Sequence, residues 1–172
     1  MMRQCLFLLT AMTALWTAAP STGIAAEPAA VWRRHETAED RAAIEAVIER
    51  FRLAVIAKDG AAISKLLLNS RIVFNEIDDQ AAIDKGRGLD VHFDGLGGPG
   101  FPAFSRYLAG EKAQIEERFS NVVVVQDGPL ALVTFDYQFL SDGKVDNRGV
   151  EHWMLRKTDG QWRIFSVVWT AT

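Results

Sequence analysis

The chain has 172 residues with 19 basic and 22 acidic side chains, three histidines, one cysteine and a formal net charge of −3. A mildly acidic balance without a basic block argues against nucleic acid or an anionic membrane surface as the partner. The length suits one domain, and a domain of about 146 residues removes roughly 68–70% of its unfolded surface from water, enough for a core without crosslinks.

Arg3 opens the chain, an apolar run follows from Cys5 to Ala19, and Pro20-Ser21-Thr22-Gly23 breaks it before Ala25 and Ala26. That order is the signature of a cleavable signal peptide over residues 1–26, and the run is shorter than a membrane span requires. It predicts export to the periplasm or the medium, with no membrane attachment after cleavage near Ala26. Cys5 departs with the leader, so the expected mature domain has no thiol, and the chemistry left is that of carboxyl, amide, phenol and imidazole groups. Residues 27–36 carry no period and read as a lead-in to a domain at 37–172.

Thr37 is a candidate N-cap, Glu39 and Asp40 suit a helix start, and Ile44, Val47, Ile48, Phe51 and Val55 recur at helical spacing until Asp59-Gly60. A shorter helix is predicted over 61–68, and a strand over 71–77, where the period falls to two. Residues 78–100 are rich in charge and glycine and read as a long loop with at most a short hairpin or helical turn. A third helix is predicted over 101–108. The runs at 117–126, 130–140, 148–157 and 161–170 are separated by Asp127-Gly128, Asp142-Gly143 and Asp159-Gly160, a hairpin signal each time. The expected fold is α+β, with about three helices packed on the concave face of a curved antiparallel sheet.

The segments AIEAVIERFRLAVIAKDGAAISKLLLNSRIVFNE and DYQFLSDGKVDNRGVEHWMLRKTDGQWRIFSVVW, in this element order, resemble the nuclear transport factor two-like superfamily. That superfamily includes ketosteroid isomerase, scytalone dehydratase, limonene epoxide hydrolase and SnoaL-type cyclases. The resemblance implies a cone-shaped sheet, a cystatin-like roll, whose wide end is closed by helices around a pocket. Ketosteroid isomerase needs an aspartate base, a tyrosine donor and a protonated aspartic acid. An ungapped match puts Asn75 at the base position and Phe51 at the tyrosine position, which argues against that reaction. Only Glu151, in Val150-Glu151-His152, matches in kind.

Strand alternation puts Glu151 and Trp153 on one side and His152 on the other. Glu151 is therefore a candidate acid or base, with Tyr137 or Asn75 to orient a substrate oxygen. The plainer alternative is a carboxylate paired with an arginine such as Arg118 or Arg163, or exposed at a sheet edge. Phe51, Val73, Phe135, Trp153 and Trp169 are the expected apolar wall, unless the aromatic stripe is ordinary core. Asp90, His92 and Asp94 make a weak metal-like pattern in a loop, and no metal or cofactor is expected. GLGGPG at 95–100 lacks the lysine of a phosphate loop, and no serine stands in a nucleophile elbow. The expected activity is binding of a small apolar or carbonyl-containing molecule. The alternatives are a cofactor-independent lyase or isomerase using Glu151, and an interaction module in which Asp136 and His152 on the open sheet face meet a second copy, as a homodimer, or another exported protein.

Overall fold

The structure is a computed structural model that describes residues 35–96 and 100–172. The expected signal peptide, most of the lead-in and three residues of the glycine-rich run lie outside the described residues. Four helices and five strands follow in the order α1 (Ala38–Ile56), α2 (Gly60–Leu66), β1 (Val73–Glu76), α3 (Gln80–Arg87), α4 (Gly100–Gly110), β2 (Ile115–Asp127), β3 (Leu130–Ser141), β4 (Lys144–Thr158) and β5 (Gln161–Trp169). Among the described residues no helix is long and apolar enough to cross a membrane.

The Thr37 hydroxyl accepts the Asp40 N–H at 3.0 Å and caps α1, whose face from Ile44 through Phe51 to Val55 is buried. The helix ends in a Schellman pattern, Asp59 N–H to Ala54 O at 2.8 Å and Lys58 N–H to Val55 O at 2.9 Å, with Lys58 left-handed at φ 54°. Gly60 therefore does not serve as the left-handed stop. A Cβ on it would strike the Ser105 side chain, so this glycine lets α4 approach α2 closely.

The sheet order is β1-β5-β4-β3-β2. Strands β2 to β5 form the expected antiparallel meander, whereas β1 lies parallel to β5, with Val73 opposite Ser166 and Glu76 opposite Trp169. The sheet is thus mixed at its β1 edge. Asp142-Gly143 and Asp159-Gly160 each take two positive φ values, the tight turn that matches strand twist. The Asp142-Gly143 turn lets β4 begin at Lys144, four residues before the expected start.

Three bulges bend the sheet. In β2, Asn121 and Val122 together oppose Phe135, Asn121 is left-handed at φ 53°, and its Nδ2 donates to Asp136 at 2.6 Å. In β4, Asp146 is the extra residue between Val145 and Asn147. In β5, Phe165 is the extra residue between Ile164 and Ser166.

The additional helix, α3, lies in the stretch read as a loop. Asp79 caps it, yet it has no buried residue, so it lacks the apolar stripe by which a helix is recognised in sequence. It packs instead on the loop that follows it, with Gly86 against the Phe93 ring and Ile83 against Gly95.

The core lies between α1, α2 and the concave sheet face. Phe51, Phe119 and Phe135 surround Trp153 with ring centroids 4.8, 6.0 and 5.2 Å from it. At the far end of α1, buried Asp40 accepts Lys157 Nζ at 2.6 Å, Gln126 Nε2 at 2.9 Å and Trp162 Nε1 at 3.0 Å. These contacts tie the helix start to β2, β4 and β5.

Candidate functional site

A cavity of about 350 Å3 opens between the concave sheet face, α1 and α4. Its side walls are Phe74, Phe104, Tyr107, Phe139 and Trp169, and Phe51 closes the end toward the core. Phe74 packs against Phe104 and Trp169 at centroid distances of 5.2 and 5.5 Å, and Tyr107 against Phe139 at 6.2 Å. The aromatic residues therefore divide into two groups. One is the filled cluster around Trp153, and the other is a shell around open space.

Four carboxyl groups line this shell: Glu76 on β1, Glu117 on β2, and Asp146 and Glu151 on β4. Glu76 and Asp146 are exposed at the mouth, whereas Glu117 and Glu151 are only 7% and 4% exposed. Glu151 Oε2 has no hydrogen-bond partner. Burial pushes the Glu151 carboxyl up to about 8, opposed in part by the neighbouring Trp153 indole. Glu117 is raised well above the ordinary carboxylate range, first by burial and then by the charge of Glu151. Two carboxyls in one desolvated site titrate as a pair, because ionising both places like charges in a poorly screened space.

Tyr137 also lines the cavity, but its hydroxyl donates to the Thr170 carbonyl at 3.2 Å. Burial raises its phenol, and Glu151, Glu76 and Glu117 add to the shift, so it remains protonated. Gly149 stands opposite Tyr137 on β4, and a Cβ there would collide with the Thr170 carbonyl that Tyr137 holds.

Of the residues singled out in sequence, Phe51, Tyr137, Glu151 and Trp169 meet at the cavity. Phe135 and Trp153 instead belong to the filled core, at 1% and 0% exposure, and form no part of the wall. Asn75 and Val73 are placed elsewhere. Asn75 Nδ2 donates to the Leu96 carbonyl at 2.7 Å, and Val73 is 48% exposed. Alternation along β1 turns Phe74 and Glu76 inward, so the ungapped match is one residue out of phase with the inner face. Arg118 and Arg163 do not pair with Glu151, since Arg118 holds Glu116 at 2.9 Å and Arg163 donates to Gln161 at 2.6 Å. Asp90 and Asp94 accept the backbone N–H groups of His92 and Leu96 in local turns.

Glu117 escapes sequence reasoning for an identifiable reason. Inward Val124 and Gln126, read backward in steps of two, point to Glu116 and Arg118, but the extra residue in the β2 bulge shifts the inner face to Ile115, Glu117 and Phe119. The run Glu116-Glu117-Arg118 then looks like a solvated edge. A left-handed Asn in mid-strand is the one signal that could have exposed the shift.

No family model matches the chain, and no curated protein matches it. Solved structures do. An NTF2-like protein of unknown function from Pseudomonas putida KT2440 superposes with TM-score 0.59 at 17% identity, over 79% of this chain and 89% of that one. A candidate dehydratase of the NTF2-like family from Streptomyces avermitilis gives 0.56 at 21% identity, over 78% and 96%. An NTF2-like protein with a cystatin-like fold from Novosphingobium aromaticivorans gives 0.57 at 16%, over 77% and 81%. Together with the curved five-stranded sheet and its N-terminal helices, these likenesses show that the chain has the cystatin-like fold of the NTF2-like proteins.

Proposed function

We propose that the domain binds a small, largely apolar molecule in the cavity between α4 and the sheet. The observation that carries this reading is the aromatic shell around about 350 Å3 of open space, with an unpartnered buried carboxyl oxygen of Glu151 at its floor. A protein that used these rings only for stability would close them, as the Trp153 cluster is closed, because packing a void recovers lost contacts. Trp169 on the wall provides the readout. A panel of hydrophobic ring compounds, carbonyl compounds and amines included, is expected to shift tryptophan fluorescence, and Trp169→Ala is expected to lose most of the shift while staying folded. No response across the panel overturns the reading.

The Glu117 and Glu151 pair favours a second reading, turnover by proton transfer. A carboxyl held neutral at physiological pH donates its proton to a substrate oxygen, and the carboxylate so formed accepts a proton released elsewhere on the same molecule. This is the chemistry of a lyase or isomerase acting on a hydrophobic carbonyl compound, with the carboxyl pair returned to its starting protonation after each cycle. Rates in Glu151→Gln are expected to fall about 100-fold or more. Unchanged rates remove the residue from the reaction. Pairing of two copies through the outward sheet face is proposed on a separate observation, the exposure there of Leu132, Val150 and Met154.

A further inference from the structure

We infer that the cavity selects a hydrophobic organic cation, an amine or quaternary ammonium about the size of a substituted benzene, over neutral or anionic molecules of the same shape. This rests on the cavity being a ligand site and adds the charge of the ligand. Among the described residues that line it, four are carboxylic, Glu76, Glu117, Asp146 and Glu151, and none is lysine, arginine or histidine. Arg118, next to Glu117 in β2, pairs with Glu116.

Acidic residues alone would not define a ligand, but two further features do. Glu151 lines the cavity, and its Oε2 is buried with no partner, so one acceptor is left unused in an otherwise apolar place. The walls also carry the rings of Phe74, Phe104, Tyr107 and Trp169, and the negative quadrupole of an aromatic face attracts a diffuse positive charge. A compact metal ion fits less well, since no group of three His, Cys, Asp or Glu side chains among the described residues could hold one. A bulky cation with alkyl or aryl substituents fills the space, touches the rings and reaches carboxyl groups from several strands at once. Phosphorylated or carboxylated molecules would find no basic side chain in the lining to hold their charge.

The groups facing the ligand are Glu76 from β1, Glu117 from β2, Tyr137 from β3, Asp146 and Glu151 from β4 and Tyr107 from α4, while α1 contributes only Phe51. Burial holds the two floor carboxyls toward their neutral forms, so an arriving cation stabilises the ionised form and expels a proton. Binding is therefore coupled to pH.

The test is calorimetric titration of the folded protein with benzyltrimethylammonium, N,N-dimethylbenzamide and benzoate, in buffers of differing ionisation enthalpy. Benzyltrimethylammonium is expected to bind about tenfold or more tighter than the amide at pH 8. Its affinity should rise between pH 6 and 8, with proton release near pH 7, and benzoate should be the weakest of the three. Glu151→Gln, checked for fold by circular dichroism, is expected to reduce proton release and remove most of the preference while keeping amide binding. Should that variant misfold, Glu76→Gln at the exposed mouth is expected to weaken the cation alone. Equal or tighter binding of the amide or benzoate overturns the cation assignment and leaves the pocket reading standing. Absence of binding by all three overturns both.

Discussion

Glu151 occupies a place where water cannot solvate its charge, and its side chain has found no cation to replace that water. Its folded value of about 8 lies above the ordinary glutamate value of about 4.3, so the folded state keeps a proton that the unfolded state gives up. The contribution is fully present below pH 4 and is lost as pH rises toward 8. Glu151→Gln removes this titration. Its melting temperature is expected to match the parent near pH 4 and to exceed it by several degrees, on the order of 5 °C, at pH 9. A difference independent of pH would show that the carboxyl is solvated or paired. A residue that destabilises its own fold at neutral pH is one kept for another purpose. Its inward position was legible from alternation with Trp153, whereas its partner Glu117 was not, because the inner face of β2 changes phase at Asn121.

At the scale of elements, the placement of each depended on how much of its own surface it buries. α1, with a cap and a continuous apolar stripe, and the strands flanking the Asp-Gly turns were readable to within a few residues. α3 has no fully buried residue, and β1 is four residues long, too short for its phase to be read without its parallel partner β5. That single-residue uncertainty decided whether Asn75 or Glu76 reached the cavity. Two element contacts make further predictions. Gly149→Ala in β4 would drive the Thr170 carbonyl and the Tyr137 ring apart, and is expected to cost about 1–3 kcal/mol in denaturant unfolding. Asp40→Asn at the start of α1 weakens its ties to Lys157, Gln126 and Trp162 and should lower the unfolding midpoint at pH 7. Those bonds, that of Lys157 first, hold the Asp40 carboxyl far below the usual range. Its contribution is therefore present above about pH 4 and fades as pH falls below it, so the gap between parent and variant should narrow in acid.

At the scale of the whole molecule, the phenylalanines and tryptophans of the described residues serve more than one purpose. Sequence shows that aromatic residues alternate along β3, but which of the aromatic residues enclose space and which fill it depends on the curvature of the sheet. Phe135 and Trp153 fill, Phe139 and Trp169 enclose. The outward face carries the proposed pairing of copies. Sedimentation at micromolar concentration is expected to give a dimer, and Leu132→Asp, on a residue 41% exposed, a monomer. A monomeric parent would remove that proposal.

The β2 bulge joins these scales. It inserts one residue between two stretches that keep their own registers with β3, Ile115 to Ser120 on one side and Val123 to Asp127 on the other. Deleting Val122 would restore regular pairing and leave both stretches facing as they do, so Glu117 would still point inward while the strand straightened. The outline of the cavity and its acidity thus reside on separate residues. Length changes at 121–122 can widen or flatten the chamber, and point changes at 117 and 151 can alter its chemistry, each without undoing the other.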